Sequence, residues 1–251
     1  MYSYTEGYNI LEELSDIPKN LLPKHVGLIL DGNRRWALKN LVNINVGHLI
    51  GYKNLKDRLF DFFEAGIHYL SIYALSLENV KKRKVEEIEY IYGIILDAVD
   101  TVIKETTVKE EKVNFNVIGR INLLPPTIRA KIDELIQFTK DNDQYFINLC
   151  LMYDGQAEIV DAVRGIISDK IDAEKIDKDL IKSYLYTKKF PEVDYIIRTG
   201  MEDGARISGF LLWDASYAEF KFRKDFWPDY DKAMMIEDLI DFVNRNRRKG
   251  E

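Results

Sequence analysis

Cysteine is almost absent from the sequence. Cys150 stands alone, which excludes an intramolecular disulfide and leaves no thiolate metal cluster on offer. Its place within the apolar run from Tyr145 to Tyr153 reads as a buried, inert thiol. No apolar run approaches the roughly 18 residues that would cross a bilayer, and no signal-peptide pattern opens the chain. The expectation is a cytoplasmic protein whose contact with a membrane, if it makes one, is peripheral. An excess of positive charge is missing too. A formal charge of −6 argues against general nucleic-acid binding, so any polyanion site must be built locally from placed arginines. Internal repeats and low-complexity segments are also lacking.

What is present suits one α/β domain over residues 1–251. With 46% hydrophobic and 31% charged residues, the chain can bury a sizeable core and stay soluble. Apolar runs or alternation predict strands over 26–30, 68–75, 113–118, 145–152 and 194–197. Helical spacing predicts a short covering helix within 10–22, then helices over 49–65, 86–106, 125–140, 157–167 and 231–244. Short, charged helices are expected between 168 and 189, and two short apolar segments at 210–213 and 218–222. Strands alternating with helices make a mostly parallel sheet covered on its faces.

The chemistry concentrates where the first strand stops. In 25–36, HVGLILDGNRRW, an apolar run gives way to Asp31, a glycine, an amide and two arginines. Ligands of open α/β sheets bind at the carboxyl ends of strands, where the next helix begins with unpaired N–H groups. Asp31 offers oxygen to a hard cation such as Mg2+. Gly32 permits close backbone approach, and Arg34 and Arg35 supply phosphate-binding forks. Asp-Gly-Asn is also a common turn tripeptide. The stretch alone is compatible with either reading, and the paired arginines favour the metal–phosphate site. A second strand end carries similar chemistry in Ser76, Glu78 and Asn79, followed by the basic run 81–84.

Five separated motifs then stand in one order: HVGLILDGNRRWA, GHLIGYKNL, YALSLENVKKR, DYIIRTGMEDGARISGFLLWDASYAEFKF, and WPDY with the ending RRKG. Together they resemble the cis-prenyltransferases, the undecaprenyl diphosphate synthase-like or Z-type isoprenyl diphosphate synthases, over 25–250. The resemblance implies a central sheet flanked by helices, a hydrophobic tunnel and a homodimer or heterodimer. It implies condensation of isopentenyl diphosphate units onto an allylic diphosphate, farnesyl or geranylgeranyl, giving a cis-polyprenyl diphosphate, the precursor of a glycosyl carrier lipid. Asp31 would be the catalytic Mg2+ ligand, with Glu219 completing the metal site. Gly32, Asn33, Arg34, Arg35, Trp36 and His48 would hold the allylic diphosphate. Ser76, Leu77, Glu78 and Lys82 would surround Asn79, which is assigned to the proton-transfer region. Arg198, Arg206, Ile207 and Ser208 would clasp isopentenyl diphosphate, and Arg248 and Gly250 would reach a neighbouring subunit's site. The tunnel would be walled by 49–65, 86–106 and 145–151, with Tyr90, Tyr92, Tyr145 and Phe146 as candidates to close it.

Departures from the family pattern matter as well. Ile44 stands where an arginine is common four residues before His48, and Arg34, often glycine, is expected to supply that charge. Val80 replaces the usual tryptophan, Lys82 the usual arginine, and 152–156 read MYDGQ instead of NYGGR. The loop between Arg198 and Arg206 is longer than the common bacterial form by Gly204-Ala205. These changes leave the primer and the product length open. Two other readings compete: a non-catalytic partner subunit, for which Ile44 speaks, and a magnesium-dependent phosphohydrolase, which lacks the expected second aspartate.

Overall fold

The computed structural model describes residues 9–245. Arg248 and Gly250 lie outside the described residues. Six strands form one sheet: β1 (His25–Ile29), β2 (Tyr69–Ser76), β3 (Val113–Ile118), β4 (Tyr145–Tyr153), β5 (Tyr195–Arg198) and β6 (Glu219–Phe222). Their spatial order is β3-β4-β2-β1-β5-β6, and every adjacent pair is parallel. The sheet is therefore wholly parallel rather than mostly so. The apolar segment at 218–222 contributes its sixth strand.

The helices are α1 (Ile10–Glu13), α2 (Asn33–Lys39), α3 (Ile44–Glu64), α4 (Leu77–Lys82), α5 (Val85–Lys104), α6 (Thr106–Glu110), α7 (Pro126–Thr139), α8 (Gly155–Ser168), α9 (Lys178–Tyr184) and α10 (Lys232–Asn244). The helix expected from residue 49 begins earlier, at Ile44. The Asn43 side chain accepts the Asn45 N–H at 2.9 Å and caps it there, so Gly47 and His48 lie within the helix. Among the described residues no helix is long and apolar enough to cross a membrane.

Period-two alternation shows in how β1 is buried. Val26 and Leu28 pack with Phe62 and Phe63 of α3 and with Trp227 and Leu239. Ile29 faces the opposite side, with Cys150, Ile196 and Phe210. A strand covered on both faces explains why its residues read as one apolar run. The sequence order of strands also fixes where ligands can enter. β2 lies on one side of β1 and β5 on the other, so the chain's path diverges there and leaves a crevice beyond the two carboxyl ends.

Phe62 is wholly buried at the centre of this packing. Phe62→Ala should lower the unfolding free energy by about 3–5 kcal/mol, seen as a lower urea midpoint at unchanged slope.

Candidate active site

Asp31 stands in that crevice and joins both sides of it. Its Oδ1 accepts the Gly32 N–H at 2.7 Å and Arg35 Nη2 at 3.0 Å, while Oδ2 accepts Arg198 Nη2 at 2.9 Å. Arg198 ends β5 with its side chain only 7% exposed. Its Nη1 donates to the Arg206 carbonyl at 2.7 Å and to Ser208 Oγ at 3.0 Å, which gathers the 199–208 loop around one guanidinium. Ser208 takes a left-handed φ of 51° to do so, a conformation that costs an L-residue roughly 1–2 kcal/mol. Strain of that kind is retained where the surrounding bonds over-determine it. Arg198 Nε is buried without a partner among the described residues.

The second wall is the meeting of α2 with α3. Gly47 and Gly51 let α3 lie directly on Asn33. A Cβ at Gly47 would stand 2.3 Å from the Asn33 carbonyl oxygen, and one at Gly51 would stand 2.3 Å from Asn33 Oδ1. The contact leaves Asn33 Oδ1 buried and unpaired at the edge of the cavity. His48 lines the cavity just above it. Burial pushes its pKa below the usual histidine value against the opposing pull of Glu87, so the ring is neutral at pH 7.

A third wall comes from the short helix α4. Ser76 Oγ accepts the Asn79 N–H at 3.0 Å, and Ser76, Glu78 and Asn79 all line the cavity. Lys82 does not. Its side chain is 73% exposed and pairs with Glu78, whose pKa the lysine lowers. Arg83 lines the cavity in its place, near enough to Asp31 for their charges to interact. Burial draws the Arg83 pKa down from its usual value. In the basic run 81–84 nothing local distinguishes this arginine. Only its position as the residue that closes α4 turns it inward.

Four further expectations need correction. Trp36 is packed rather than presented to a ligand, and its Nε1 donates to Asp229 Oδ1 at 2.6 Å. Leu77 and Ile207 pack against separate hydrophobic clusters and do not line the cavity. Glu219 is not brought to Asp31. In the parallel register it stands opposite Tyr195, three residues before the Arg198 end, or roughly 10 Å along the strand. There it accepts Arg245 Nη1 at 2.9 Å. Among the described residues no group of three or more His, Cys, Asp or Glu side chains could hold a metal ion by itself.

From this polar mouth a cavity of about 480 Å³ runs inward. Along α5 the lining residues are Ile91, Ile94, Ile95, Ala98, Val99 and Val102, one face of the helix at the spacing of its turns. α3 contributes Leu55, Leu59 and Phe63, and the strands contribute Phe115, Ile147 and Leu149. The three segments expected to wall a tunnel all line this cavity, joined by Phe115 of β3, but the bulky residues differ. None of Tyr90, Tyr92, Tyr145 and Phe146 lines the cavity. Tyr145 stacks on Phe63, and Phe146 stacks on Tyr69, a layer further out. Tyr73, which the sequence reading passed over, lines the mouth, and its hydroxyl lies 3.4 Å from the Ser208 carbonyl.

Residues 29–250 match the prenyltransferase family model described as undecaprenyl diphosphate synthase. The chain is 38% identical over 253 residues to a tritrans,polycis-undecaprenyl-diphosphate synthase of Pyrococcus horikoshii named as geranylgeranyl-diphosphate specific, covering 98% of this chain and 95% of that one. It is 36% identical over 233 residues to an isoprenyl transferase of Clostridium tetani, covering 91% and 89%. A crystal structure of lavandulyl diphosphate synthase from Lavandula x intermedia with dimethylallyl diphosphate superposes with a TM-score of 0.87 at 29% identity, over 92% of this chain and 100% of that one.

Trp36→Phe tests the reassignment of that residue. Removing a hydrogen bond to a charged acceptor should cost about 1.5–3 kcal/mol of stability. Affinity for inorganic diphosphate, measured by calorimetry, should not change.

Proposed function

The chain belongs to the undecaprenyl diphosphate synthase family of prenyltransferases, and on that premise we propose how its crevice and cavity divide the work of a cis-prenyltransferase. The enzyme joins isopentenyl diphosphate to an allylic diphosphate. The observation that carries the reading is the junction itself: a cationic mouth at Asp31 and Arg198 opening into an apolar cavity, the shape of a diphosphate head with a hydrocarbon tail. Burying each added isoprene unit against Ile, Leu and Phe side chains favours the growing chain.

Two diphosphates need two sets of cations. Arg34 and Arg35 flank Asp31 on the α2 side, beside Gly32 and Asn33, and we assign this side to the allylic diphosphate. On the β5 side Arg198, Arg206 and Ser208 suit isopentenyl diphosphate, since guanidinium forks match phosphate oxygens. Asp31 fits a magnesium ion in the manner of sites that use one or two carboxylates and complete the shell with substrate phosphates. When bound, the ion would neutralise charge on the departing diphosphate. Were Asp31 to exchange Arg35 and Arg198 for such an ion, both arginines would be freed for the substrates.

In the step itself the allylic C1–O bond breaks, and the electron pair leaves with the diphosphate. The double bond of isopentenyl diphosphate forms the new bond to C1, and a proton is lost from its C2. Asn79 stands at the mouth on the α4 side. An amide is too weak a base to take that proton, so its role is to orient the groups while a diphosphate oxygen accepts it. We propose geranylgeranyl diphosphate as the primer, supported by the names of the archaeal relatives, and a polyprenyl diphosphate of the carrier-lipid kind as the product. A homodimer completed by Arg248 and Gly250 belongs to this proposal on the sequence match alone.

Purified protein incubated with Mg2+, labelled isopentenyl diphosphate and, separately, geranyl, farnesyl or geranylgeranyl diphosphate should elongate the last most efficiently, as read from extracted lipids resolved by length. Failure with every primer would refute the reading. Chelation by EDTA should stop turnover, and Asp31→Asn, which keeps an oxygen for Arg198 to donate to, should abolish it while lowering the thermal midpoint by only a few degrees.

A further inference from the structure

Behind the diphosphate mouth sits a carboxylate that the chemistry above does not use. Glu87, in the first turn of α5, has a side chain only 10% exposed and does not line the cavity. Cationic or potentially cationic groups from three separate parts of the chain converge on its Oε1. His48 Nε2 of α3 lies at 2.9 Å, Arg83 Nη1 from the α4–α5 connection at 3.5 Å, and Arg34 Nε of α2 at 3.8 Å. An acid in a first helical turn is favoured by the helix dipole, which accounts for an exposed glutamate such as Glu86. It does not account for burial beneath a histidine and two arginines.

The way the three are held differs. A carboxylate can only accept, so the neutral His48 ring must carry its proton on Nε2, and this is a true hydrogen bond. The two guanidinium groups are within ion-pair range but make no hydrogen bond to Glu87. Among the described residues neither guanidinium donates a side-chain hydrogen bond, and both stand in ion-pair range of Glu87, Arg83 largely buried and Arg34 half exposed. Ile44 lies one turn before His48 on the same side of α3 and brings no charge of its own. On this side of the mouth Arg35 is paired with Asp31, and the two cations gathered by Glu87 are Arg34 and Arg83.

We propose that Glu87 is a positioning residue for the allylic diphosphate: it holds Arg34 and Arg83 at the mouth by charge, leaves their donors for the ligand, and ties α5 to α3 through His48. Arg34 thereby occupies the electrostatic place that Ile44 leaves empty. The proposal rests on the assignment of the α2 side to the allylic diphosphate. One buried carboxylate against two guanidinium groups leaves the cluster positive, so an arriving diphosphate meets cations already ordered and loses little to reorganisation.

Steady-state kinetics with each substrate varied in turn test this on Glu87→Gln, which keeps the shape and a hydrogen-bonding oxygen for His48 but loses the charge. KM for the allylic diphosphate should rise about tenfold, with kcat and KM for isopentenyl diphosphate little changed. Glu87→Asp should restore most of the loss. In the Glu87→Gln/Arg34→Met double variant the two effects should fall well short of multiplying, because one acts through the other. An unchanged allylic KM, or an equal loss for both substrates, overturns the proposal, as does full multiplication of the two effects. Should Glu87→Gln fail to fold, Glu87→Ser, smaller and likewise uncharged, takes its place in the same cycle. Arg198→Ala is the control for the underlying reading. If it weakens binding of inorganic diphosphate while Glu87→Gln leaves the allylic KM unmoved, only the positioning role falls. If neither variant affects diphosphate affinity, the site itself has been misread.

Discussion

The bond between Asp31 and Arg198 joins residues 167 positions apart and links the carboxyl ends of β1 and β5. Arg198, with its side chain buried, would be expensive to bury alone, because a charge withdrawn from water costs several kcal/mol unless it is paired. Arg198 answers that cost with three acceptors, and Asp31 with three donors. The 199–208 loop, the start of α2 and the end of β5 are thereby placed by one set of charges. In the proposed reading the same set receives the charged ligand. Stability of the empty site and readiness for substrate would then draw on the same hydrogen bonds, and binding would be an exchange of partners rather than the filling of a vacant slot.

Polar and apolar halves of the site are built by different rules. The mouth depends on strand ends and loops, where a few residues in unusual conformations set the direction of side chains. The cavity depends on two long helices that present one face inward, and its lining tolerates any apolar residue of suitable size. α5 shows how closely core and cavity are related. Ile88 packs into a hydrophobic cluster with β2, β4 and α7, while Ile94 and Ala98 of the same helix line the cavity. An apolar arc wider than a core needs is what the sequence displays when a helix serves both purposes.

That difference explains what could be read beforehand. The strands were legible because apolar runs and alternation follow from local geometry, and Asp31 was legible because it ends such a run beside two arginines. Arg198, Arg206 and Ser208 became recognisable only through the spacing of a longer motif. Glu219 was misplaced because a motif fixes which residues are present but not the register of a strand, and β6 sets it three residues from the ligand end. Lys82 and Arg83 are neighbours with the same charge, and only the end of α4 decides which turns inward. Trp36 looked like part of the site from its position in the motif. Its partner Asp229 lies 193 residues away and has no local signal.

The contact of Gly47 and Gly51 with Asn33 also divides the molecule by how freely it can be altered. On that side the backbones touch, and a single added carbon would have to push one helix from the other. Across the cavity, α5 meets the space with side chains rather than backbone, from Ile91 to Val102. Descent with modification, or deliberate redesign toward another hydrocarbon length, is therefore channelled to one side. In the proposed reading the wall beside the head group is fixed by backbone contact, while the wall beside the tail is made of side chains whose size can change without moving either helix.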